Sequence, residues 1–236
     1  MTPAVDARLV EVQRLLAHIK KVEQAALDGD PVSAEQAPIL RGLFFVNLYG
    51  AIEHSLSLAV QVLLQEMSKV AVAYADFEHL IHVVALDAEF RSVAGSGYES
   101  RFTKRKALLT RQVSNDSCEL NDTIFHDQLQ NVWYATLREI FQHLNIQRFP
   151  LPDIKMRGYL DEIVEKRNAI AHGRSSASAV GRLTTSQELD TRLNAIREVL
   201  DHIINAFDEY LDNRLFVTAK QRTHYLPTAP VSGTSS

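Results

Sequence analysis

At 236 residues the chain is long enough to bury a sizeable core as one large domain, or as a domain with appendages. Apolar residues make up 46% and charged residues 23%, the balance of an ordinary globular chain, while glycine and proline together reach only roughly 7% against about 12% in average usage, which disfavours turn-rich sandwiches, barrels and Gly-rich phosphate loops. A net charge of −4 argues against a general nucleic-acid coat protein and leaves local patches open.

Long helices with few breaks are the alternative. Over residues 5–27, Leu9, Val12, Leu15, Leu16, Ile19 and Val22 recur at helical spacing, and Asp28-Gly29-Asp30-Pro31 closes the segment. Ser33-Ala34-Glu35-Gln36 reads as a capping box for a helix over residues 34–68, whose start Pro38 can shift by a turn. Residues 69–95 hold another apolar-periodic stretch, ended by Ala94-Gly95-Ser96-Gly97. A basic helix is predicted over 99–110, a polar loop over 114–122 and a helix over 131–144. Asp153 reads as the N-cap of a helix over 156–172, with Gly173 at its C-terminal cap. A small polar loop over 175–184 then leads to a second capping box, Thr185 to Glu188. Leu189, Leu193, Ile196, Leu200, Ile203, Phe207 and Tyr210 or Leu211 make the seam of a last long helix. The prediction is an all-helical domain over residues 1–218, followed by a disordered Pro/Ser/Thr-rich tail over 219–236.

Cys118 is the single cysteine, so there is no internal disulfide and no multi-thiolate zinc site. The first residues lack the basic flank and apolar core of a signal peptide. The most apolar stretch, Ile39 to Met67, is interrupted by Arg41, Asn47, Glu53 and His54, so no membrane span is expected. These features point to the cytoplasm.

The chemistry concentrates in Glu165-Lys166-Arg167-Asn168-Ala169-Ile170-Ala171-His172-Gly173. Arg167 lies three to four residues from Ile163, Val164, Ile170 and Ala171, inside the apolar stripe, where a permanent cation needs a partner. His172 lies about 140° further round an ideal helix, on the polar side with Asn168. A histidine at a helix C-terminus is favoured in its protonated form by the macrodipole. Glu53 is a matching anomaly, since Val46, Tyr49, Leu56 and Val60 share its face. The two charges are expected to meet across their helices. A structural ion pair that fixes register and a functional arrangement both satisfy that spacing.

Arg167-Asn168 through His172-Gly173 resembles the R-x-x-x-x-H signature of the HEPN superfamily (higher eukaryote and prokaryote nucleotide-binding domains). The segments Ile39 to Leu43 and Tyr49 to His54 resemble the acidic helix of its RiboL-PSP type, Leu160 to Arg167 the approach to the motif, and the last helix the closing helix. The likeness spans roughly residues 33–217, with residues 69–127 unmatched. The resemblance implies an all-α, HEPN-like helical bundle with two long antiparallel helices and a long C-terminal helix. It implies a metal-independent endoribonuclease without cofactor, a homodimer with facing motifs, often a toxin or phage-defence effector, with RNA as substrate and an antitoxin or regulatory protein as a further partner. Arg167, His172 and Asn168 take the motif roles, and Glu53 that of the helix acid. These residue types suit the reaction: a histidine can move a proton near neutral pH, and an arginine can hold two phosphate oxygens in a planar fork.

Arg101, Lys104, Arg105, Lys106 and Arg111 form an acid-free run that reads either as a phosphate-tracking patch or as a solvated helix face. RNA contacts are assigned to Lys104, Arg105 and Lys106, and to Arg174 beside the motif, with Arg182 a further candidate. His79 and His82 stand three apart without a third ligand, and Phe77, Leu80 and Ile81 explain that segment as core, so no metal site is expected. A ribonuclease leads over two rivals, a non-catalytic HEPN-like domain that binds a nucleotide or a partner protein, and a helical adaptor.

Overall fold

The computed structural model describes residues 2–226. Among the described residues ten α-helices follow in chain order: α1 Thr2–Leu27, α2 Pro31–Lys69, α3 His82–Ala85, α4 Asp87–Ala94, α5 Arg101–Gln112, α6 Tyr134–His143, α7 Met156–Ala171, α8 Ala177–Arg182, α9 Ser186–Asp212 and α10 Arg222–Tyr225. No strand is present among the described residues, so the fold is all-α as the composition predicts.

The chain divides into two compact units. The first takes Met1–Val62, Thr123–Phe141 and Arg148–Ala206, and the second takes Leu63–Asp122, Gln142–Gln147 and Phe207–Ser236; residues 227–236, part of the expected tail, lie outside the described residues.

In the first unit Leu9, Val12, Leu16 and Ile19 of α1, Ile163 and Val164 of α7, and Leu189, Leu193, Ile196, Leu200 and Ile203 of α9 are buried as their spacing predicts, whereas Leu15 and Ile170 are half-buried and Ala171 is exposed; Phe44, Leu48, Ile52 and Leu56 of α2 and Leu160 of α7 complete the core. α1 runs antiparallel to α9, because Lys20 meets Asp190 at 2.5 Å and Gln13, a turn or two earlier, meets Arg197 at 3.4 Å. α1 also folds back along α2, where Glu23 accepts from Arg41 Nη1 at 2.6 Å. Arg41 Nε donates to the Gly181 carbonyl at 2.8 Å, so one guanidinium ties α1 and α8 to α2.

α2 begins three residues earlier than the sequence predicts. Asp30 is its cap, accepting from Ser33 N at 3.0 Å and from Val32 N at 3.3 Å, with Pro31 in the first turn, where a missing N–H costs nothing. Ser33, expected as the cap, instead donates its hydroxyl to Asp30 at 2.5 Å, and this bond holds the Asp30 carboxyl below the usual carboxylate range. Pro38 is therefore internal to the helix. α2 is also the one helix among the described residues long and apolar enough to cross a membrane, and 56% of its most apolar window is buried within the protein.

The predicted loop over 175–184 contains α8 instead. Ser176 caps it by accepting from Ala179 N at 3.1 Å. It lies backbone against backbone on α2, since a Cβ at Gly42 would strike Ala177 O and one at Gly181 would strike Pro38 O. The capping box of α9 is as expected, with Thr185 N donating to Glu188 at 2.7 Å and Glu188 N returning to Thr185 Oγ1 at 3.3 Å.

In the second unit the stretch over 69–95 is not one helix. It breaks into 3-10 turns, Tyr74–Asp76 and His79–Ile81, followed by α3 and α4. Ala71 adopts φ 53°, and the backbone then pairs over long range instead of within a helix: Ala73 bridges Ser117, Phe77 bridges Val217, and Glu78 N donates to Phe216 O at 2.8 Å. His82 is buried with its ring nitrogens 3.1 Å from His79 O and 2.9 Å from Tyr74 O. Cys118 is also buried, which pushes its thiol up. Residues 219–226, assigned to the tail from sequence, carry α10, and the Tyr225 hydroxyl donates to Asp76 at 2.7 Å and accepts from Ala73 N at 3.3 Å.

The α2 contact gives a paired test on one helix. Gly42→Ala is expected to lower the unfolding free energy by about 1–3 kcal/mol, because backbone must move to admit the methyl. Gly50→Ala, whose Cβ meets nothing within 4 Å, is expected to raise it by up to about 1 kcal/mol through helix propensity. Urea unfolding of both variants checks the opposite signs.

Candidate active site

α7 presents the motif, and two features of its sequence hold it in place. Glu162 accepts from Lys166 Nζ at 2.6 Å within α7 and from Arg192 Nε of α9 at 3.0 Å. Burial raises the Glu162 carboxyl, but the hydrogen bonds from Lys166 and Arg192 outweigh it and leave the group below the usual range. Lys166 also stands 4.4 Å over the Phe45 ring of α2.

One turn along, Arg167 meets α2 as the spacing predicts. Its Nη2 lies 3.4 Å from Glu53 Oε2, and its Nη1 donates to Asn168 Oδ1 at 2.7 Å. The guanidinium carbon sits 4.1 Å from the Tyr49 ring centroid, a cation–π contact that leaves the edge of the fork open. Tyr49 is fully buried and anchored at its far end, donating to Gln130 O at 2.8 Å and accepting from Val132 N at 3.2 Å. Burial pushes its hydroxyl above the ordinary range, so the ring remains a neutral post.

The two charges are less buried than the apolar spacing implies: the Arg167 side chain keeps 24% and Glu53 35% of its surface exposed. With one contact to Glu53 and one to Asn168, the other N–H groups of Arg167 have no hydrogen-bond partner among the described residues. The site is thus a fixed, half-open cation with donors to spare.

α7 ends as expected. His172 occupies the C-cap with φ −92° and ψ 9°, its N–H on Asn168 O at 3.1 Å, and Gly173 turns the chain away at φ +68°. The His172 ring is exposed and, among the described residues, unpartnered. Glu53, Arg167 and Asn168 are therefore brought together, while His172 joins the cluster only through its backbone bond to Asn168. Arg174 and Arg182 are exposed nearby in sequence. Asp153, expected to cap α7, instead accepts from Lys155 N at 2.9 Å in the turn before it.

Lys104, Arg105 and Lys106 lie on α5 in the second unit, apart in assignment from the Arg167 cluster. Lys104 Nζ donates to Ser92 O at 3.1 Å. Arg111 leaves the expected patch, because Asp116 at 3.0 Å and Glu89 at 3.9 Å engage it over the Tyr74 ring. A cleft of about 880 Å³, lined by Gln65, Ser68, Lys69 and the loop 117–122, includes none of the motif residues.

Tyr49 is the residue that sequence reasoning missed. It reads as one more apolar neighbour of Glu53, yet a tyrosine in a leucine- and phenylalanine-rich face carries a hydroxyl that must be satisfied, and that was the available signal.

The family model described as RiboL-PSP-HEPN matches residues 7–209. No curated protein and no solved structure matches the chain.

Tyr49→Phe keeps the ring beneath Arg167 but leaves Gln130 O and Val132 N without their partner. It is expected to cost about 1–3 kcal/mol, whereas Glu53→Gln, half-exposed, is expected to cost under about 1 kcal/mol. Thermal and urea unfolding of the two variants tests that order.

Proposed function

We propose that this chain, which belongs to the RiboL-PSP-HEPN family, is a metal-independent endoribonuclease, a toxin or phage-defence effector whose Arg/His site is completed in a homodimer. The observation that carries the reading is Arg167, held on Tyr49, Glu53 and Asn168 with N–H groups still unspent, five residues before a His172 that is unpartnered among the described residues.

The chemistry follows from those groups. The 2′-oxygen of the RNA attacks the adjacent phosphorus while an imidazole takes its proton. The bond from phosphorus to the 5′-oxygen breaks as that oxygen receives a proton, leaving a 2′,3′-cyclic phosphate and a 5′-hydroxyl. Arg167 binds the phosphate oxygens as charge develops on them, and Asn168 and Glu53 keep its fork in one orientation. One imidazole cannot serve both proton transfers in a single step, so His172 of a second copy supplies the other. Arg174 beside the motif, and Arg105 and Lys106 of α5, contribute phosphate contacts, whereas Lys104 is turned to Ser92 O. An antitoxin or regulatory protein restrains the activity in the cell.

The Arg167–Glu53 pair also favours a second reading, in which the motif is structural and the domain binds a nucleotide or a partner without catalysis. Incubation of the purified protein with total RNA in EDTA separates the two. Cleavage is expected to persist in chelator and to fall by about 10²–10⁴-fold in His172→Ala, with the variant's circular dichroism and sedimentation unchanged. Full activity in His172→Ala overturns the assignment, and a stable monomer at micromolar concentration overturns the shared site.

A further inference from the structure

Helix α5 is amphipathic in the reverse sense. Phe102, Leu109 and Val113, the residue that caps the C-terminus of α5, recur at intervals of seven and four, which sets them on one side, and they are 70%, 61% and 70% exposed. Tyr98, in the turn just before the helix, is 82% exposed. The half-buried residues are Lys104, Leu108, Arg111 and Gln112, turned away from that stripe. An ordinary surface helix turns its apolar side chains to the core, so an outward apolar stripe marks a surface that meets something.

The charges around the stripe say what kind of partner fits. Residues 101–115 contain no acid. Arg105 and Lys106 each lie within a turn of both Phe102 and Leu109, one on either side of the stripe, and Arg101 extends the first row. None of these three has an ion pair among the described residues, whereas Arg111, on the inner face, is engaged by Asp116 and Glu89. The Arg105 guanidinium carbon lies 5.7 Å from the Phe102 ring centroid, so cation and aromatic form one surface.

We propose that α5 and Tyr98 form a platform for single-stranded RNA, with bases stacked on Tyr98 and Phe102, sugar and base edges packed along Leu109 and Val113, and phosphates on Arg101, Arg105 and Lys106. The identity of the strand rests on the ribonuclease reading above. Interleaved aromatics and cations are what an unpaired strand requires, because its bases offer free faces while its backbone offers charge. A duplex hides those faces and gains only from the cations.

The test uses the full chain carrying His172→Ala, so that RNA is bound and not consumed, with labelled oligouridine, an RNA duplex of equal length, and vesicles of phosphatidylcholine and phosphatidylserine as probes. Both rings are exposed, so Tyr98→Ala with Phe102→Ala leaves the core intact. That pair is expected to weaken oligouridine binding by about ten- to a hundredfold with an unchanged salt slope, and to leave duplex binding unaltered. Arg105→Gln and Lys106→Gln are expected to flatten the salt slope by about 0.7 each. Oligouridine binding indifferent to the aromatic pair overturns the platform, as does vesicle binding that depends on those rings without RNA binding. Cleavage by the unsubstituted chain is measured in parallel. Cleavage with ring-independent binding removes the platform alone, and ring-dependent binding without cleavage removes the nuclease alone.

Discussion

An arginine cannot shed its charge, and the architecture of the first unit is arranged around one that stands in the apolar stripe of α7. Arg167 is met by an aromatic face, a carboxylate and a side-chain amide, each from a defined position: Tyr49 and Glu53 one turn apart on α2, and Asn168 beside it. Tyr49 in turn is held by the backbone at Gln130 and Val132. A slip of either helix by one residue would rotate the cation off its ring and away from its acid, so the cluster fixes register. The Glu162 pairs with Lys166 and Arg192 repeat the device in the preceding turn of α7.

Stability alone does not account for this arrangement. Half-exposed ion pairs contribute little net free energy, and leucines would fill the same space without desolvating a charge. A register role needs only that the cation be satisfied. The observed cluster satisfies it incompletely, with one 3.4 Å contact to Glu53 where a bidentate pair would use the whole fork. Orientation is retained while donors stay available, which is the condition for holding an anion that arrives from solution. The end of α7 follows the same logic: Gly173 closes the helix in a left-handed turn, so His172 is presented from a fixed stem with its ring in solvent.

Much of this was legible in the sequence because it rests on local periodicity. The seams of α1 and α9, the Thr185–Glu188 box, the Gly173 terminus and the meeting of Glu53 with Arg167 all follow from positions three, four and seven apart. The failures share a different cause. α8 is too short to show a period, and its place depends on Gly42 and Gly181 letting two backbones touch. Residues 69–95 carry helical spacing, but their backbone pairs with residues 117, 216 and 217, which no local window contains. Ser33 reads as a cap until Asp30, three residues before it, takes the free N–H groups. Tyr225 reads as tail until Asp76, far off in the chain, accepts its hydroxyl. In the site the charged partners were readable, since a charge on an apolar face announces itself. Tyr49 was not, because its aromatic body matches the pattern and only its hydroxyl departs from it.

In the proposed reaction this cation and His172 act on the 2′-hydroxyl of RNA. The chemical form of the product ends tests it most directly, using a defined RNA and the same strand with a single 2′-deoxy sugar at the cleaved position. Attack by the 2′-oxygen is expected to leave a 2′,3′-cyclic phosphate and a 5′-hydroxyl on the RNA, and no cut at the deoxy position. Ends bearing a 3′-hydroxyl and a 5′-phosphate, or equal cleavage of the deoxy-substituted strand, would contradict it.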